Sequence, residues 1–187
     1  GLRIASKNKK IKIFVEMDAD FSHKPEELKK NLDKFIKNNL DLLISSRYLK
    51  SSRIYNWSIQ RRIFSFLANF LASLLLNVGV SDYTNGYRIY SKKSVKLITK
   101  YCGKIGDGFI VLSEILLHIN MKNLKIDETS SIFINRKRAI ISSSIKTKLL
   151  NIKRMSSFVI LLFMFKYVKL LIRFSSRAIS NSLFFFK

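Results

Sequence analysis

The stretch Lys12-Ile13-Phe14-Val15-Glu16-Met17-Asp18-Ala19-Asp20 decides the fold. Lys12 to Met17 reads as a strand that stops in the acidic turn Asp18-Ala19-Asp20. Pro25 then opens a helix, Glu26 to Asn38, because proline is tolerated in a first turn and Glu26-Glu27 suit the positive end of the helix dipole. Leu28, Leu32, Phe35 and Ile36 recur at helical spacing and predict its buried stripe. Leu40 to Ser45 follows as a second buried strand. Strand, helix, strand in that order predicts a parallel pair and an α/β sheet.

Further along, a long helix is predicted from about Ser58 to Asn77, mostly apolar after Arg61-Arg62. The turn-rich residues Gly79 to Gly86 lead to a short strand, Tyr87 to Tyr90. Helices near Lys93–Tyr101 and Phe109–Asn120 follow, then strand candidates at Lys125–Ile126 and Ser131–Asn135. From Ile145 onward the chain is basic, apolar and expected to be helical. No internal repeat is present, and a boundary near residue 140 separates a catalytic body from a tail.

Composition narrows the partners. The 187 residues can hold one domain with a hydrophobic core, and 48% hydrophobic residues with a single proline exclude a disordered chain. A net charge of +23 attracts nucleic acid, anionic headgroups or phosphorylated substrates. Residues 129–187 carry twelve Lys/Arg and no Asp or Glu, yet include Phe158-Val159-Ile160-Leu161-Leu162-Phe163-Met164-Phe165. Basic residues mixed with bulky apolar ones suit an interfacial membrane segment and argue against nucleic acid. Lys166, Lys169 and Arg173 interrupt that run before it reaches the length of a clean span, so it is read as lying on the membrane, with spanning or core burial as alternatives. The lone Cys102 excludes an internal disulfide and fits a reducing compartment.

Several groups carry chemistry. Asp18 and Asp20 stand beyond the carboxyl end of a strand, where ligands bind in open α/β sheets. Two carboxylates there can converge on a hard divalent cation that keeps other positions for phosphates, or can form a solvated turn. His23 is a possible ligand, or a packing or hydrogen-bonding residue at the helix entry. Arg61 and Ser65, at i and i+4, share a helix face and together could hold a phosphate, or could be the exposed end of a core helix. Arg47 is placed at the same sheet edge. Asp82-Tyr83-Thr84-Asn85-Gly86-Tyr87-Arg88 reads as a site-shaping loop in which Asp82 either acts or caps the turn. Glu114 lies in an apolar helix, where a carboxylate needs a partner, a function or solvent.

In order and spacing, from about residue 11 to 136, these pieces resemble the dolichyl-phosphate mannose synthases and their polyprenyl-phosphate glycosyltransferase relatives. The matching residues are Met17-Asp18-Ala19-Asp20-Phe21-Ser22-His23-Lys24-Pro25, Ser46-Arg47-Tyr48, and Trp57 with Arg61, Ser65, Ala68 and Asn69. Ser81 to Tyr90, then Gly108 with Glu114, complete them. The resemblance implies a Rossmann-like GT-A fold over residues 1–140 and a basic, membrane-associated tail over 141–187. It implies transfer of a hexose, most simply mannose from GDP-mannose, to dolichyl or another polyprenyl phosphate, with inversion and with Mg²⁺ or Mn²⁺. On that reading Asp18, Asp20 and Ser22 hold the metal, while Arg47, Arg61, Ser65 and Arg136 bind donor or acceptor phosphate. Asp82, Arg88 and Glu114 line the reacting region as catalytic residues. The implied location is the membrane surface with the site on its cytoplasmic face, with no nucleic-acid partner and an open question of a separate membrane subunit.

Two departures from the family pattern accompany this. The family's first strand and nucleotide-gripping loop do not occur before Lys12, so the chain is expected to lack its N-terminal part, with a strand and Pro-x-Tyr-Asn-Glu upstream. After Arg136 the family's Gly and Ser-Lys pair give way to Lys137-Arg138-Ala139-Ile140. Two other functions remain open from sequence: a transferase of this fold with a glycan or other non-lipid acceptor, and a non-enzymatic basic module on membrane or nucleic acid.

Overall fold

A computed structural model describes residues 1–103 and 109–135. The elements in chain order are α1 (Leu2–Ala5), β1 (Ile13–Glu16), α2 (Glu27–Lys37), β2 (Leu42–Ser46), β3 (Arg53–Tyr55) and α3 (Ile59–Leu76). Then come β4 (Arg88–Ser91), α4 (Lys92–Tyr101), α5 (Phe109–Met121), β5 (Ile126–Ser130) and β6 (Ile132–Ile134). Ser58 caps α3 by accepting from the Arg61 N–H, and Ser91 caps α4 by accepting from the Ser94 N–H. Asn77 closes α3 in the left-handed conformation, which asparagine tolerates better than most residues.

The main sheet has the order β1-β4-β2-β5. The predicted strand–helix–strand unit therefore needs a correction: β1 and β2 run the same way but are not hydrogen-bonded neighbours. Strand β4 lies between them, antiparallel to both, with Leu42 opposite Tyr90 and Phe14 opposite Tyr90. Its Arg88, Ile89 and Tyr90 are all buried, as a strand covered on both edges and both faces requires. The sheet's parallel pair is β2 with β5, from Leu42 opposite Ile126 to Ser46 opposite Ser130. A second, two-stranded parallel sheet joins β3 to β6.

One sheet face is covered by α2, where Phe35 and Leu40 pack with Leu43 and Ile89, and Leu32 and Ile13 close the cluster. Ile36, predicted for that stripe, is 61% exposed. Asn31 is buried instead, one turn before Phe35, so the inward face of α2 is half polar and hydrophobicity alone misplaces its edge. Sequence also missed α1 and β3, and it stopped the strand expected at Lys125–Ile126 four residues before β5 ends, while Ser131–Asn135 differs from β6 by one residue at each end. Asp127, Glu128 and Thr129 hide β5 from an apolar pattern; its pairing with the wholly buried β2 makes it a strand. The predicted tail, the boundary near residue 140, Arg136 and Gly108 lie outside the described residues.

Candidate active site

The acidic turn forms where β1 ends. Asp18 is exposed and Asp20 half-buried. Asp20 Oδ1 accepts the Ser22 N–H at 3.0 Å, which folds the turn back on itself. Ser22 is buried beneath it, its carbonyl accepting the Ile134 N–H at 2.9 Å. Phe21, between Asp20 and Ser22, has φ of 59°. The other non-glycine residues with positive φ among those described are Asn39, Asn56, Asn77 and Asn123. A phenylalanine in that region is strained, and strain of this kind concentrates where a loop's shape is functional.

Behind the turn lies a buried ion pair. Arg47 Nε donates to Asp82 Oδ2 and Nη2 to Asp82 Oδ1, both at 2.8 Å, and the Arg47 backbone N–H reaches Oδ2 at 2.9 Å. Asp82 also accepts from the backbone N–H of Thr84 and Asn85, at 3.2 and 3.0 Å. Burial alone would raise the Asp82 pKa, but the hydrogen bonds and charge of Arg47 outweigh it and hold the carboxylate below its usual range. The guanidinium also donates to Thr84 Oγ1 at 2.7 Å. Asp82 is thus the hub that shapes the 82–88 loop, and Arg47, expected at a phosphate, is tied to it.

An aromatic bridge carries the cluster to α3. His23 makes edge contacts with Tyr87 and Phe133, at 5.2 and 5.1 Å between ring centres, and Phe133 packs on Trp57 at 5.5 Å. The Arg47 guanidinium lies 5.3 Å from the Trp57 ring centre and that of Arg61 4.3 Å, so one indole meets two cations. Arg61 is exposed and also donates to Asn135 Oδ1 at 2.8 Å. On the same helix face, Ser65 Oγ accepts from the Tyr48 hydroxyl at 2.6 Å. Asn69, one turn on, accepts the Tyr83 N–H at 2.7 Å and so pins α3 to the Asp82 loop.

Burial lowers the His23 pKa, although Asp18 raises it, Arg47 lowers it further, and Asp20 and Asp82 raise it. These mutual fields place Asp18, Asp20, His23, Arg47 and Asp82 in one neighbourhood. Neither ring nitrogen of His23 has a hydrogen-bond partner among the described residues, and its ring is wedged between aromatics. It serves the packing role that sequence offered as its second reading.

The remaining site predictions fall elsewhere. Arg88 is fully buried and donates to three backbone carbonyls, Asn85, Tyr83 and Leu112, at 2.8 to 2.9 Å. Its guanidinium locks the loop and α5 to β4. Glu114 Oε2 accepts the Gly103 N–H at 2.8 Å and fastens α5 to the end of α4, where burial, aided by the Glu114 charge, pushes the Cys102 thiol up to about 12. Their contacts are structural, not directed toward the acidic turn. Sequence reading missed Glu128, whose carboxylate accepts the Ser81 and Asp82 N–H groups at 2.7 and 3.0 Å. It also missed Phe133, the centre of the aromatic bridge. The only signal for Glu128 was its rarity among twelve acidic residues.

An acidic turn at a strand's carboxyl end, linked by an aromatic bridge to an exposed arginine and a half-buried serine on one helix, is the kind of site that handles phosphorylated substrates. The chain belongs to glycosyl transferase family 2, whose family model matches residues 1–99. The mixed α/β sheet fits the GT-A type of fold expected from sequence. The chain is similar to the polyprenol monophosphomannose synthase of Mycolicibacterium smegmatis, with 43% identity over 86 residues, covering 46% of this chain and 32% of that protein. It is also similar to the undecaprenyl-phosphate mannosyltransferase of Micrococcus luteus, with 34% identity over 86 residues, 46% of this chain and 35% of that protein. The matched stretch thus spans about a third of the length of these curated relatives.

Proposed function

We propose that this chain belongs to an enzyme that transfers mannose from GDP-mannose to a polyprenyl phosphate such as dolichyl phosphate, at a membrane surface, with the site on the cytoplasmic face. The observation that carries the reading is the pairing of Arg61 and Ser65 on one face of α3, joined through Trp57 and Phe133 to His23, which follows the Asp18–Asp20 turn. The names of the two relatives support the acceptor class and the sugar.

Among the described residues no three His, Cys, Asp or Glu side chains converge to hold a metal ion. Asp18 and Asp20 alone fit Mg²⁺ or Mn²⁺ as a partial donor set, completed by water and substrate phosphate, with Ser22 shaping the turn from beneath. When bound, such an ion would supply charge stabilisation for the departing diphosphate. Arg61 would draw the acceptor phosphate to the ring face of Trp57 and hold it for attack. A phosphate oxygen forms the new bond to the anomeric carbon as the bond to the nucleoside diphosphate breaks on the opposite side, inverting that centre. The acceptor oxygen is already anionic, so no general base is required, and alignment with charge stabilisation suffices.

The test is transfer of labelled mannose from GDP-mannose to polyprenyl phosphate by membranes containing the complete gene product. Arg61→Ala is expected to reduce transfer about ten- to a hundredfold, the value of a charge-assisted contact. Unchanged transfer would remove Arg61 from the acceptor site, and no transfer to polyprenyl phosphate by the native enzyme would point to a glycan or other non-lipid acceptor. Activity that persists in excess chelator would overturn the metal assignment.

A further inference from the structure

Hydroxyl groups on helices commonly direct their proton to the helix's own carbonyls. Ser73 of α3 does so, donating to the Phe70 carbonyl at 2.8 Å, and Thr99 of α4 donates to that of Lys96 at 3.1 Å. Ser65 departs from this pattern. Its Oγ accepts from the Tyr48 hydroxyl at 2.6 Å and, among the described residues, makes no other hydrogen bond. The direction follows from acidity, because a phenol gives up its proton more readily than an aliphatic hydroxyl. A lone pair of Ser65 is thus engaged while its own proton is uncommitted. Arg61 stands one turn back on the same helix face, so that proton and a guanidinium are neighbours.

Both partners of this bond are held from behind. Tyr48 follows Arg47, which Asp82 and Thr84 grip, and its ring lies 5.7 Å from the Arg47 guanidinium carbon. The Tyr48 N–H donates to Ser46 Oγ at 3.3 Å, and the Ser46 carbonyl in turn accepts from the Ser52 hydroxyl at 2.7 Å. On the helix, Asn69 Nδ2 donates to the Ser65 carbonyl at 2.8 Å and fixes the turn that carries Ser65. We propose that Tyr48 is a positioning residue for the acceptor phosphate: its hydroxyl fills the accepting side of Ser65 Oγ, which turns Ser65 into a donor to an anion beside Arg61. A guanidinium can only donate, and Ser65 is set to donate as well, so the pair suits a ligand group made of acceptor oxygens. A phosphate monoester is such a group. The matching free alcohol brings a single oxygen and a proton that the guanidinium cannot take. The inference rests on the proposed function for the identity of the ligand.

The test titrates the complete gene product with geranyl phosphate, a short prenyl phosphate, followed by phosphorus NMR, and separately with GDP-mannose. Neither titration requires turnover. Tyr48→Phe retains the ring and removes only the hydroxyl, and melting curves check the fold. It is expected to weaken geranyl phosphate about three- to tenfold, the value of one hydrogen bond, and to leave the GDP-mannose dissociation constant unchanged. Ser65→Ala is expected to weaken geranyl phosphate at least as much. Adding Tyr48→Phe to Ser65→Ala should weaken it no further, because Tyr48 acts through Ser65. Native affinity in Tyr48→Phe overturns the proposal. Equal losses for both ligands overturn it too, since they mean a structural role. So do additive losses in the double variant, which mean that Tyr48 acts by another route. A native protein that binds no geranyl phosphate overturns this inference and the proposed function together. One that shows the expected Tyr48 dependence yet makes no mannosyl product upholds the positioning role and sinks the proposed function alone.

Discussion

Arg47 and Arg61 approach the same indole from opposite circumstances. Arg47 is buried, its guanidinium held at two points by Asp82 and at a third by Thr84. Arg61 is exposed on a helix end, lying over Trp57 with Asn135 beside it. The first arrangement has its counter-charge built in and keeps a loop in shape. The second places a guanidinium at the protein surface. Two arginines that look equivalent in sequence thus differ in place: one closes on a carboxylate inside the fold, the other lies over a ring at the surface, and the proposed function gives the second the task of recognition.

That contrast can be broken first at the buried pair. Asp82→Asn leaves the Arg47 charge without its partner and is expected to cost about 3–5 kcal/mol of stability, measured by denaturant unfolding. A loss no larger than that of a surface change would show that the pair is not structural. Arg61→Ala should do the reverse, changing stability by less than about 1 kcal/mol while lowering transfer as described above. Glu128→Gln is intermediate: it weakens two hydrogen bonds to the Asp82 loop and should cost about 1–2 kcal/mol by the same measurement.

Acid sharpens the same distinction. The folded Asp82 pKa lies below its ordinary value of 3.8. Its contribution is therefore complete above that value and is lost as pH falls through the folded pKa, because the unfolded chain takes up the proton first. Melting temperatures recorded from neutral pH into strong acid should fall more steeply below about pH 4 for the native chain than for Asp82→Asn. Parallel curves would refute the linkage. The smallest effect is expected at Phe21→Asn. Asparagine tolerates the positive φ, so stability should rise by up to about 1 kcal/mol, while a fall would mean that the ring's contacts outweigh the strain.

Much of the fold was legible because periodicity reports burial. The 18 residues of α3 and the buried β2 leave plain signals. Sheet order did not, since nothing in the pattern of β1 or β2 says that β4 will come between them. Within the site, Asp18, Asp20, Arg61 and Ser65 could be selected as chemically able groups. Whether a polar residue ends up spent on the fold depends on partners distant in sequence. Arg88 closes on the carbonyl of Leu112, Glu114 on the amide of Gly103, and Arg47 on a carboxylate 35 residues away. No local window contains those partners.

The aromatic bridge has one further use. Trp57 is the chain's only tryptophan, and both guanidiniums bear on its ring. Native emission therefore comes from a single spot at the seam between the locked arginine and the accessible one. On the proposed function, an arriving lipid phosphate that pulls Arg61 off the indole would alter that light, giving an optical titration of the proposed acceptor with no added dye and no turnover.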